Sequence, residues 1–200
     1  MKSTCLAMTT LLAAAAAQGQ FVFDEATLGD FSTDPAAGTV LGFGLGTNTV
    51  LGTMGNSNAV NSDFSNPNGD RDFFTFTVGA GQSVTSIELT EWSVANQGFI
   101  AIDDGFGSVI PGLTTNSDLL SGILVSTNDL GANLLDEFTT GAVTTNSLPS
   151  PILGPGTYTF VVQQTTNLTQ AYGLRFTLVP SPAAAAMLGG GLLAVRRRRG

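Results

Sequence analysis

Asn66, Asn68, Asp70 and Asp72 occupy alternate positions in one short stretch of the chain. That pattern suits a hard cation, because Ca²⁺ takes about six to eight oxygen ligands from closely spaced carboxylates and amides. Asp103 and Asp104 can add ligands from a nearby turn, so the expected calcium set is Asn68, Asp70, Asp72, Asp103 and Asp104. The distal Glu that an EF-hand loop needs is missing. Asp and Asn also serve turns by bonding local backbone, which is the ordinary role of such residues. A second chemistry open to these residues is glycoside hydrolysis, which needs two acids at a set separation. Asp70, Asp72, Glu88, Glu91, Asp103 and Asp104 are numerous enough to supply a pair, and Trp92 beside Glu91 has the makings of a sugar-stacking platform. A lone Trp in a β-rich chain is more often part of the core.

Composition removes most other chemistry. The chain has no histidine, which excludes Ser-His-Asp triads, His-ligated zinc and histidine general bases. Its one cysteine, Cys5, lies too close to the N-terminus to follow an apolar stretch as a lipidated cysteine does. All fifteen acidic residues fall between Asp24 and Glu137, where only Arg71 is basic; Arg175 is the other basic residue of the central region. So acidic a surface argues against nucleic acid and anionic membranes as partners and for solubility, cations or neutral polymers. The expectation is a protein that is not an enzyme and needs no cofactor, with calcium as the one candidate ligand ion.

Both ends carry sorting information. Lys2, the apolar run Leu6 to Ala17 and the small residues Ala15-Ala16-Ala17 have the order of a signal peptide. At the other end Val179-Pro180-Ser181-Pro182 is an extended hinge, since proline fixes φ and keeps its predecessor out of the helical region. Ala183 to Val195 follow as an apolar block, then Arg196, Arg197, Arg198 and Arg199. The block has thirteen residues, about 20 Å of helix against a hydrocarbon core of about 30 Å. Gly189 to Gly191 weaken it further, so it suits transient membrane contact better than permanent anchoring.

This tail resembles the PEP-CTERM sorting signal of exported bacterial proteins, in which a Pro-Glu-Pro motif precedes an apolar helix and an Arg-rich end. Ser181 stands where that motif has Glu. The resemblance implies an exosortase-type processing enzyme as partner and a cell-surface or extracellular destination. The chain then divides into a signal peptide (1–17), one domain (18–179) and a sorting signal (180–200).

The central region reads as all-β. Phe74, Phe76 and Val78 alternate with Thr75 and Thr77, Ile87 and Leu89 with Glu88 and Thr90, and Leu174, Phe176 and Leu178 with Arg175 and Thr177. Phe99 to Ile102, Leu45 to Thr53 and Tyr158 to Val162 add further strands, and Asn56 to Asn68 reads as a loop. Asp118 to Leu124 is the best local candidate for a helix, and Leu113 to Ser150 fits no strand pattern and reads as an insertion. The expected fold is a single β-sandwich, jelly-roll-like, with an N-terminal signal peptide and a short C-terminal apolar helix. Asn68 to Val78 with Ala80 to Ile87 is similar to the opening hairpin of bacterial pre-peptidase C-terminal domains. Leu153 to Phe160 with Tyr172 to Leu178 is similar to their closing pair. That resemblance implies an accessory module on a secreted protein. The leading expectation is a non-catalytic surface or matrix protein; the alternatives are a polysaccharide- or calcium-binding module and a carboxylate glycoside hydrolase.

Overall fold

Alternation of apolar and polar residues dictates strands over most of the chain, and the computed structural model, which describes residues 19–55, 70–105, 119–164 and 168–181, is built of them. In order they are β1 (Gly19–Asp24), β2 (Thr39–Val40), β3 (Gly46–Met54), β4 (Arg71–Val78), β5 (Gln82–Trp92), β6 (Gly98–Asp104), β7 (Ser121–Val125), β8 (Gly156–Gln164) and β9 (Gln170–Pro180). Two short α-helices interrupt them, α1 (Glu25–Leu28) and α2 (Leu134–Thr140). Among the described residues no helix is long and apolar enough to cross a membrane. The expected C-terminal helix and signal peptide lie outside those residues.

The strands form two sheets packed as a sandwich, one in the order β1-β3-β9-β5 and the other β2-β4-β8-β6-β7. Antiparallel pairing dominates, but β1 runs parallel to β3 and β2 parallel to β4. The core lies between the sheets. Phe74, Phe76 and Phe160 of one sheet meet Phe176 of the other, with Phe160 and Phe176 edge-on at 5.4 Å between ring centroids. Such edge-to-face pairs add about 0.5–1.5 kcal/mol beyond the area they bury.

Three expectations change. The segments read as an opening hairpin, β4 and β5, belong to different sheets, and so do the closing pair β8 and β9. The turn after Val78 therefore carries the chain from one sheet to the other instead of folding it back within one sheet, and β8 and β9 likewise stand in opposite sheets. Asp118 to Leu124 does not supply a helix: Ser121 to Val125 is edge strand β7. The helix comes ten residues later, where Asn133 caps Leu135 N–H and Leu134, Leu135 and Phe138 are all buried. Packed against β5 and β7, α2 covers the gap between two sheet edges, so this region belongs to the sandwich.

Candidate functional site

Asp72 breaks an apolar stripe. It is in phase with Phe74, Phe76 and Val78 on β4, whose side chains face the core. Across the interior, Tyr172 begins the matching stripe of β9 that continues through Leu174, Phe176 and Leu178. Asp72 and Tyr172 are both 0% exposed. Among the described residues, neither carboxylate oxygen of Asp72 nor the Tyr172 hydroxyl completes a hydrogen bond. The hydroxyl nonetheless lies near enough to favour the charged form of Asp72. Burial works against that form more strongly, and Glu25, Asp70 and Asp30 add repulsion, so Asp72 is held well above the usual carboxylate range.

Glu25 reaches the same point from the other sheet. Parallel pairing sets Asp24 beside Leu51, and there Asp24 caps α1 by accepting Ala26 N–H at 2.9 Å. The next residue turns inward. Glu25 Oε1 accepts Phe31 N–H at 2.9 Å, while Oε2 accepts Thr53 N–H at 2.6 Å and the Thr53 hydroxyl at 3.1 Å. Burial raises the pKa of Glu25, and these hydrogen bonds oppose the rise. Gly29, at φ +91°, reverses the chain after α1 and brings exposed Asp30 back over the cleft.

One carboxylate oxygen from each of Glu25, Asp30 and Asp72 lies within 4.8 Å of the others. Asp70 stands beside them, pushed up to about 6 by burial and by the charges of Asp30 and Glu25, against the Gly55 N–H. The cluster runs from solvent at Asp30 to the interior at Asp72. A cleft of about 410 Å³, lined among others by Glu25, Asp30, Gly52, Thr53 and Tyr172, opens over it. Gly52 makes room for Tyr172: a Cβ there would stand 2.6 Å from both the ring Cζ and the hydroxyl.

An arrangement of three or four oxygen donors without nitrogen or sulfur suits a hard cation. It does not suit glycoside hydrolysis, because Asp72 is sealed from any sugar and cannot act with Glu25 as a catalytic pair.

The expected calcium set divides. Asp70 and Asp72 join Glu25 and Asp30, and Asn66 and Asn68 lie outside the described residues. Asp103 and Asp104 are elsewhere. Both β4 and β6 run antiparallel to β8 and so share a direction, which sets the end of β6 level with the end of β4. Asp104 pairs with Tyr158 and Asp72 with Val162, four residues or about 13 Å apart along β8. Asp104 instead lines a second cleft of about 630 Å³ with Gly105 and Tyr158. Glu88 faces outward and pairs with Arg175, and Glu91 stands on the rim of the acidic cleft.

Trp92 is no sugar platform. It is 4% exposed, its Nε1–H donates to Asn96 O at 2.8 Å, and its ring lies against Gly98. In the tail, Val179 and Pro180 are the last residues of β9, paired with Ser83 and Gln82 of β5. Ser181 N–H then donates to Gly81 O at 2.7 Å. Val179, Pro180 and Ser181 are therefore held by the sandwich, where a free hinge was expected from Val179 on. Pro182 and Arg196 to Arg199 lie outside the described residues.

Glu25 and Asp30 were missed as site residues. Their own neighbourhood in sequence carries no sign of Asp72, which lies more than forty positions away. One signal was present: an Asp in phase with a phenylalanine stripe must enter the core.

Fold and site together define a two-sheet β-sandwich with an acidic cleft at one end of its core. No family model matches the chain, and no curated protein matches it. Among solved structures, one that is similar is PliG of Salmonella Typhimurium, a periplasmic inhibitor of g-type lysozyme. The match has a TM-score of 0.34 and 16% identity, over 72% of this chain and 100% of that one.

Proposed function

We propose that this chain is a non-catalytic exported protein of the cell surface or extracellular matrix, sorted through its C-terminal tail by an exosortase-type enzyme. The observation that carries the reading is that β9 holds its place in the sheet up to the edge of the sorting-signal pattern. Strand β9 stays paired with β5 through Pro180, and Ser181 N–H is bonded to Gly81 O. Removal of everything beyond Ser181 would leave every described strand in place. Export is supported by the signal-peptide pattern at Lys2 to Ala17. A non-catalytic role is supported by the sealing of Asp72, the most perturbed carboxylate of the cleft. Any contact with extracellular polysaccharide would use the exposed strand faces, since Trp92 is buried.

Mass spectrometry of the protein taken from its native host tests the proposal. A C-terminus ending near Pro182 is expected, in the extracellular or surface fraction. A mature protein that keeps Arg196 to Arg199 would overturn it.

A further inference from the structure

We infer that Glu25, Asp30 and Asp72 form a site for one hard divalent cation of the calcium type, which ties the α1 end of one sheet to β4 of the other. The acidic cluster alone would not carry this. What carries it is Asp72, fully buried, aimed at the other two carboxylates, and without a hydrogen-bond partner among the described residues.

A buried ionised carboxylate is tolerated when it is paired or coordinates a metal. Among the described residues, the charged groups that act on Asp72 are Glu25, Asp70 and Asp30, all of its own sign, and the one neighbour that favours its charge is the Tyr172 hydroxyl. Arg71, the adjacent residue, projects from the opposite face of β4. A divalent cation answers the charge, and the oxygens lie close enough for one ion to touch all three residues.

The donor set selects the kind of ion. All the ligands are carboxylate oxygens, which favours calcium, magnesium or manganese over softer metals. Monodentate and bidentate contacts at three carboxylates, with water from the open Asp30 side, meet the six to eight oxygens that calcium takes. Phe31 N–H and Thr53 hold the Glu25 carboxylate in place, as outer hydrogen bonds do for metal ligands.

The test uses the purified full chain in detergent, with calcium chloride and, separately, terbium chloride as probes. Terbium is excited through nearby aromatic rings, and Tyr172 borders the cluster. One equivalent of either ion is expected to bind, calcium to raise the melting temperature, and terbium to emit on excitation of tyrosine. Asp72→Asn should abolish all three effects. Asp30→Asn, at an exposed position that puts no fold at risk, should weaken calcium binding at least about tenfold. Asp104→Asn, in the other cleft, should leave it unchanged. The site is refuted if millimolar calcium moves neither the melting temperature nor the terbium signal. It is equally refuted if Asp30→Asn binds as the parent does, or if the loss follows Asp104→Asn instead.

Discussion

Asp72 on β4 and Tyr172 on β9 face one another across the sandwich interior, each fully buried, at the end of stripes otherwise made of Phe, Leu and Val. Burial raises the pKa of both groups, and each is further raised by negative neighbours of the same cluster. A polar pair in this position costs stability unless something else satisfies it.

The first prediction follows from that cost. In metal-free protein at neutral pH, Asp72→Asn replaces a carboxyl that must either be buried charged or take up a proton on folding by a neutral group of the same shape. It should stabilise the fold by at least about 1 kcal/mol, the worth of a pKa rise of one unit. Urea denaturation with a chelator present measures this, and a lower midpoint in the variant would count against it.

A pH dependence comes from the same groups. Unfolded, Asp70 and Asp72 titrate near 3.8; folded, Asp70 is raised to about 6 and Asp72 well above its usual value. Between those limits the folded chain holds protons that the unfolded chain has lost. Stability therefore falls as pH rises through the window and is greatest at its acid end. Chelator-treated protein should show a lower urea midpoint at about pH 7 than at about pH 5. The opposite slope would mean that the cluster is relieved in some other way.

Gly52→Ala should destabilise through packing alone. The added methyl would stand 2.6 Å from the Tyr172 ring and hydroxyl, closer than a Cβ can stand, so the ring must leave its present position. Overpacking of this kind costs about 1–3 kcal/mol. Thermal denaturation reads it, and an unchanged melting temperature would show that Tyr172 can shift.

Trp92→Ala separates core from surface roles. With the indole buried against Gly98, truncation should cost about 3–5 kcal/mol, as for other large core residues. A variant that kept its stability but lost retention on a polysaccharide gel would restore the platform reading. In contrast, Glu88→Gln removes only a surface ion pair with Arg175 and should cost under about 1 kcal/mol.

The strands were legible because alternation is local. Phe74, Phe76 and Val78 announce a half-buried strand without reference to any other residue, and the sandwich follows from repeating that pattern. The assignment of strands to sheets was not legible. A short Gly-rich turn such as Gly79 to Gly81 is compatible with a hairpin and with a crossing, and only the long-range pairing of β5 with β9 decides between them. The site shows the same division. Asp70 and Asp72 stand out by spacing, but Asp103 and Asp104 depend on their turn lying nearby, and strand direction sets that turn at the other end of the sheet. Glu25 and Asp30 enter only through the parallel pairing of β1 with β3, which no short-range pattern encodes.

The placement of β9 bears on how the chain folds. It is the last of the described strands in sequence, yet it lies inside its sheet, hydrogen-bonded to β3 on one side and β5 on the other. Among the described strands β9 alone joins β3 to β5, so that sheet cannot close before β9 has been made and delivered. Topologies dominated by such distant pairings fold slowly. During synthesis this sheet stays open, its two halves unjoined, until the residues through Pro180 have emerged.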